Sequence, residues 1–164
     1  MNEKLDSIDR KLLALVQQDA SISNQALAAL VHVSPATCLR RMQRLRESGV
    51  LERQVALVNP WALAEATGQP PALTCFIEVS LDRQDAEAMQ AFEDAVLQFE
   101  QVQQCWRVAS GPDFVMVVQV LTMEHYQQLV QALLKQSNAV RNVKAYFATK
   151  RVKYNTQVVL PAQA

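Results

Sequence analysis

The sequence predicts an α+β chain in two modules, three short helices followed by a β-α-β-β-α-β array. Three observations predict it. Apolar residues recur with helical spacing up to residue 48, then with period two from residue 73. Glycine is so scarce, three in 164 residues, that Gly49, Gly68 and Gly111 each mark a break. Between the two periodicities, residues 59–71 form a connector ending in Gly68-Gln69-Pro70-Pro71.

Residues 7–19 read as the first helix, because Ile8, Leu12, Leu15 and Val16 fall on one stripe. Ser23 can cap a second helix, with Leu27, Leu30 and Val31 facing inward. His32-Val33 is a turn. Ser34-Pro35 starts the third helix, where proline at the first position sacrifices no hydrogen bond. Cys38, Met42 and Leu45 form its buried stripe, and Gly49 ends it. Three short helices with tight turns make a helix-turn-helix pattern. Residues 50–58 are expected to be extended, and Asn59-Pro60 closes them.

In the second module, Leu73, Cys75, Ile77, Val79 and Leu81 alternate as a strand with one buried face. Residues 83–99 read as a helix carrying Ala88, Phe92, Val96 and Phe99 on one side. Strands are expected at 102–109 and 114–121, around a tight Ser110-Gly111-Pro112-Asp113 turn. A helix follows at 123–135 and a last strand at 143–153. The order is the ferredoxin-like split arrangement. The expected domains are 1–58, the connector 59–71, and 72–164. Two modules this small are marginal alone, so an obligate oligomer is expected.

Half the residues are apolar, which predicts a packed core and excludes disorder. Lys+Arg and Asp+Glu both number 16, so the net charge is zero. The distribution is uneven: residues 34–53 hold five arginines against two glutamates, a net of +3. Cys38, Cys75 and Cys105 form no CxxC pair, and His32 and His125 stand near no second ligand type. No disulfide framework, metal or cofactor is expected. No run of about 18 apolar residues exists, and the first residues lack the apolar stretch of a signal peptide. A cytoplasmic chain is expected. A Gly-rich phosphate loop, HExxH and GxSxG are all missing, so no enzyme is expected.

The third helix carries the chemistry. Arg40, Arg41 and Arg44 lie at helical spacing beside the buried stripe. An α-helix fits the major groove of DNA, and Arg grips a guanine edge or a phosphate. Ala36 and Thr37 lie in the first turn, where recognition helices touch bases. Ser34 and the free N–H groups around it can hold a phosphate. Ser23 and Asn24, at the start of the second helix, complete the expected DNA-facing set.

These residues carry a family resemblance. Leu5-Asp6-x-x-Asp9-Arg10-Lys11-Leu12-Leu13, Leu27-Ala28, Val33-Ser34-Pro35-x-x-Cys38-Leu39-Arg40-Arg41-Met42-x-Arg44-Leu45 and Gly49-Val50 resemble the leucine-responsive, Lrp/AsnC or feast/famine, regulator family. The second half is similar to that family's ligand-sensing domain, down to Trp106-Arg107-Val108-Ala109 and Asp113-Phe114. The resemblance implies a sequence-specific transcriptional regulator of duplex DNA, a winged helix-turn-helix with residues 50–58 as its wing on a ferredoxin-like domain. It implies homodimers built by β-sheet association, often assembled as octamers, with an amino acid or related metabolite bound between dimers. By family position, Ser110, Gly111, Pro112, Asp113, Met123, Ala148 and Thr149 would surround that effector.

The chain departs from the family in informative places. Relatives usually carry Gly where His32 stands, a position that often needs positive φ. The customary Asp-x-Arg reads Asp19-Ala20-Ser21. The sensing loop is Ser110-Gly111-Pro112-Asp113, stiffened by Pro112. Asp113 can accept from an effector ammonium, and it can equally brace the loop amides. The altered loop keeps open an effector-independent architectural DNA-binding protein. A haem-precursor-processing enzyme of the same fold is the third reading, weakened by the shortage of histidines.

Overall fold

Asp6 sets the start of the first helix. The structure, a computed structural model, describes residues 5–136 and 139–161. In helix α1 (Ser7–Gln18) the Asp6 carboxylate accepts the N–H groups of Ile8 and Asp9 at 2.9 Å, and Asp6 N–H donates to Asp9 at 3.2 Å. This reciprocal box satisfies amides that the first turn leaves without partners. Ser23 caps α2 (Asn24–Leu30) by accepting from Ala26 N–H. Ser34 caps α3 (Pro35–Glu47), with Pro35 in its first turn.

The turn between α2 and α3 is a helix C-cap. Val33 N–H donates to Ala28 O at 3.0 Å and His32 N–H to Ala29 O at 3.3 Å. That pattern requires a left-handed residue, and His32 supplies it with φ 57°. It is the only non-glycine residue with positive φ among the described residues. Leu12, Val16, Leu27, Cys38, Met42 and Leu45 pack beneath these caps as one buried cluster.

The wing does not form within one chain. Residues 50–58 enter no strand, and among the described residues the first unit contains none. Leu51 N–H bonds back to Leu45 O, and an extended segment without a ladder partner cannot become a strand. The helical unit is instead completed from far along the chain. The segment from Lys153 belongs to the same compact unit as residues up to Leu57. Leu160 packs on the helical core, Val158 N–H donates to Gln17 Oε1 at 2.6 Å, and Arg10 donates to Pro161 O. This tail falls outside the second domain, where the expected boundary of 72–164 puts it.

The second unit runs from Val58 to Val152. It contains α4 (Pro60–Thr67), β1 (Leu73–Leu81), α5 (Ala86–Val96), β2 (Val102–Arg107), β3 (Phe114–Val120), α6 (Met123–Gln136) and β4 (Val140–Phe147). The sheet order is β2-β3-β1-β4, antiparallel throughout, as the ferredoxin-like reading requires. Phe92 of α5 and Leu129 and Leu133 of α6 pack with Ile77, Phe114 and Met116 on one face of the sheet. Phe92 and Phe114 stack with centroids 4.6 Å apart. The opposite face presents Phe76, Trp106 and Tyr146 exposed, with Val117 opposite Phe76 across the ladder.

Two elements differ from expectation. The connector contains α4, because Asn59 caps it, Pro60 occupies its first turn and Gly68 ends it at φ 66°. The last strand is displaced toward the N-terminus, pairing Val140 with Leu81 and Phe147 with Cys75. Lys150, Arg151 and Lys153 therefore lie beyond it, with the Arg151 guanidinium 4.6 Å from the Trp61 ring.

Candidate nucleic-acid interface and effector loop

The surface of α3 divides into three strips. Cys38, Met42 and Leu45 are buried. On the outward side stand Ala36, Leu39, Arg40 and Gln43, all exposed. Between them lie Arg41 and Arg44, half-buried and held by α1. The Asp9 carboxylate has no exposed surface and accepts from Arg41 Nη1 at 2.8 Å and Arg44 Nη2 at 2.5 Å. Asp6 accepts from the same Arg41 at 2.7 Å. Two carboxylates and two guanidiniums cancel, and charge-assisted bonds of this length are the strong kind.

The titration of the cluster follows. Burial pushes the Asp6 carboxyl upward, but the Asp9 and Ile8 amides and Arg41 outweigh it and hold it below its ordinary 3.8. Asp6 and Asp9 in turn hold Arg41 above its usual value. Arg40 makes no ion pair among the described residues. It shares a cleft of about 380 Å³ with Asp6, Arg41 and Arg44.

The polar members of the expected DNA-facing set are engaged locally. Asn24 Nδ2 donates to Pro35 O at 2.9 Å, tying α2 to the start of α3. Ser34 Oγ donates to Thr37 Oγ1 at 2.9 Å and accepts from Thr37 N–H at 3.2 Å. Ser23 is the α2 cap. Ala36 and Arg40 are the members of the set that face outward without an assigned internal task. Sequence reasoning misses the acidic partners Asp6 and Asp9 of Arg41 and Arg44, and it leaves Leu39 and Gln43 of the exposed strip out of the DNA-facing set. The Asp6-x-x-Asp9 spacing of a capping box and the 36/39/40/43 helical row are the available signals.

The effector candidates split into two groups. Asp113 is buried: its carboxylate accepts Leu81 N–H at 2.7 Å and Gln84 Nε2 at 2.8 Å, and its N–H donates to Val79 O. It braces the loop, in which Gly111 has φ 86°. Ser110, Gly111 and Pro112 precede it at the end of β1. Ala148 N–H instead donates to Thr74 O, at the start of β1, where Thr149 follows and Met123 opens α6. Thr74 and Val79 are separated by about 17 Å at strand rise. One chain therefore does not bring Ser110–Asp113 together with Met123, Ala148 and Thr149. Cys105, on β2, has its thiol pushed up to about 11 by burial and Glu93, which makes it a poor nucleophile.

A helix-turn-helix unit with an exposed basic third helix, joined to a split β-α-β domain, defines a DNA-binding regulator with a sensing module. Comparison with known proteins agrees. Residues 5–46 match the AsnC-type helix-turn-helix domain and residues 74–158 the Lrp/AsnC ligand binding domain. The chain belongs to the Lrp/AsnC family of transcriptional regulators, and the relatives it matches, DecR and the leucine-responsive regulatory protein, are regulators, not enzymes. It is 36% identical over 154 residues to the DNA-binding transcriptional activator DecR of Escherichia coli K12, covering 94% of this chain and 97% of DecR. It is 31% identical over 156 residues to the leucine-responsive regulatory protein of the same organism, covering 95% and 92%. Its structure is similar to an AsnC family regulator from Agrobacterium tumefaciens, at TM-score 0.81, 27% identity and 94% and 97% coverage. It is also similar to a Neisseria meningitidis transcriptional regulator in complex with L-Met, at TM-score 0.80, 26% identity and 95% and 97% coverage. No described helix is long and apolar enough to cross a membrane.

Proposed function

We propose that the protein is a sequence-specific transcriptional regulator of duplex DNA whose binding is set by an amino acid or related small metabolite, and that it works as a homo-oligomer in the cytoplasm. The observation that carries the DNA half is α3: capped by Ser34, seated by three buried residues, and exposing Arg40. A dimer carries two such helices, and half-sites one helical turn apart, about 34–36 Å, follow from a two-fold axis. Arg40→Ala is expected to weaken binding and to reduce the salt slope by about two per dimer, one for each phosphate no longer neutralised. Fluorescence anisotropy across a salt series measures both. An unchanged affinity and slope would remove Arg40 from the interface.

The sensing half rests on the family's ligand-binding domain and on the separation of the two effector groups. A pocket using both needs a second chain, with the Ser110–Asp113 loop of one protomer meeting the Met123, Ala148 and Thr149 end of another. That is consistent with effector bound between dimers and with assembly to an octamer. Calorimetric titration of the full chain with each of the twenty amino acids tests it. Heat from any one at micromolar concentration supports sensing; silence from all twenty favours the effector-independent architectural reading, which the internally bonded Asp113 keeps in play.

A further inference from the structure

The outward row of α3 has a composition that DNA-backbone attraction does not explain. Four residues at i, i+3, i+4 and i+7 face solvent: Ala36, Leu39, Arg40 and Gln43. Leu39 is 47% exposed, an apolar side chain on the strip of the helix turned away from the core. The neighbouring arginines, Arg41 and Arg44, are already neutralised by Asp6 and Asp9. The strip thus carries one cation, one amide and two apolar groups.

Resting on the DNA-binding reading above, in which Arg40 meets a phosphate, we infer that Ala36, Leu39 and Gln43 are the base-reading residues, and that Arg41 and Arg44 are positioning residues that hold α3 to α1. The chemistry of the row matches base edges in the major groove. Gln fits the N6 and N7 edge of adenine, and apolar side chains fit the thymine methyl. From residue 36 to 43 the helix rises about 10 Å. At about 3.4 Å per base step this spans about four consecutive base pairs per half-site. The buried Asp9 anchors α3 to α1 by holding Arg41 and Arg44.

The test is selection of binding sites from a random duplex library by the full chain, wild type against variants, followed by affinity on the best site. Gln43→Ala is expected to erase the preference at one base pair in each half-site and to weaken the best site about 5- to 100-fold, with the salt slope unchanged. Leu39→Ala is expected to erase a thymine preference at a neighbouring position. Gln43→Glu moves the preference at its base pair toward cytosine, a change of specificity that misfolding cannot imitate. Arg41→Ala lowers the unfolding midpoint and the affinity for all sequences alike, and leaves the selected motif as it was. An unchanged motif in both Gln43→Ala and Leu39→Ala, or a motif altered by Arg41→Ala, overturns the assignment. A wild-type chain that enriches no sequence at all overturns the regulator reading itself, which is a different result.

Discussion

Removing the Asp9 carboxylate would take from Arg41 and Arg44 the buried partner that they share. Breaking a fully buried pair costs about 3–5 kcal/mol. Arg41 and Arg44 keep 19% and 38% of their side-chain surface, so water recovers part of that loss. Asp9→Asn is therefore expected to destabilise the first unit by about 2–3 kcal/mol in urea unfolding. Asp6 adds a pH dependence with a definite sign. Its folded carboxyl titrates below 3.8, so its stabilising contribution is complete above that pH and fades as the pH falls through the folded value. The stability gap between wild type and Asp6→Asn should narrow as the solution is acidified below 3.8, and a gap that widens would contradict the cluster. His32 makes the opposite prediction. A non-glycine residue in the left-handed region costs about 1–2 kcal/mol, against about 0.5–1 kcal/mol of chain entropy that glycine adds to the unfolded state. His32→Gly should raise stability by about 0.5–1 kcal/mol, read as a higher thermal midpoint. The need for positive φ there is legible from the sequence; the acidic partners of α3 are not, because Asp6 and Asp9 lie 35 and 32 residues from Arg41 and no local periodicity links them.

Among the elements, those with strong alternation or capping are legible almost to the residue. Strand β1 spans the five alternating apolar residues, and α3 begins at Pro35 behind its serine cap. Helix α4 is not, since it buries no residue and carries no apolar stripe; only its caps announce it. Strand β4 is displaced because its sequence, Val-Arg-Asn-Val-Lys-Ala-Tyr-Phe, has polar residues on one face and its register is imposed by β1. The tail is illegible for a different reason. Its extended residues carry no period, and what orders them is a surface of α1 more than a hundred residues earlier. Leu160→Asp is expected to cost the first unit about 1–2 kcal/mol, because Leu160 is only partly buried there. Hydrogen exchange should show the loss as faster opening of α1. Unaltered exchange in α1 would mean that the tail merely rests on it.

At the scale of the whole molecule, the sheet of the second unit packs α5 and α6 against one face. The other face sets Phe76 between Val117 and Tyr146 across three strands, with Trp106 62% exposed beside them. An apolar sheet face of this kind is the surface on which the proposed homo-oligomer would associate. A Trp106→Glu, Phe76→Glu double variant is expected to lower the mass in sedimentation velocity relative to wild type, while circular dichroism stays native; retention of the wild-type mass would remove this face from the proposed oligomer interface. The chain also passes between its two units twice, near residue 57 and again near residue 152. In evolutionary terms the reading head is written in two separate stretches of the gene. A chimera that exchanges heads between relatives by a single crossover near residue 57 would inherit a foreign strap across its first helix, so a faithful graft has to carry both stretches together.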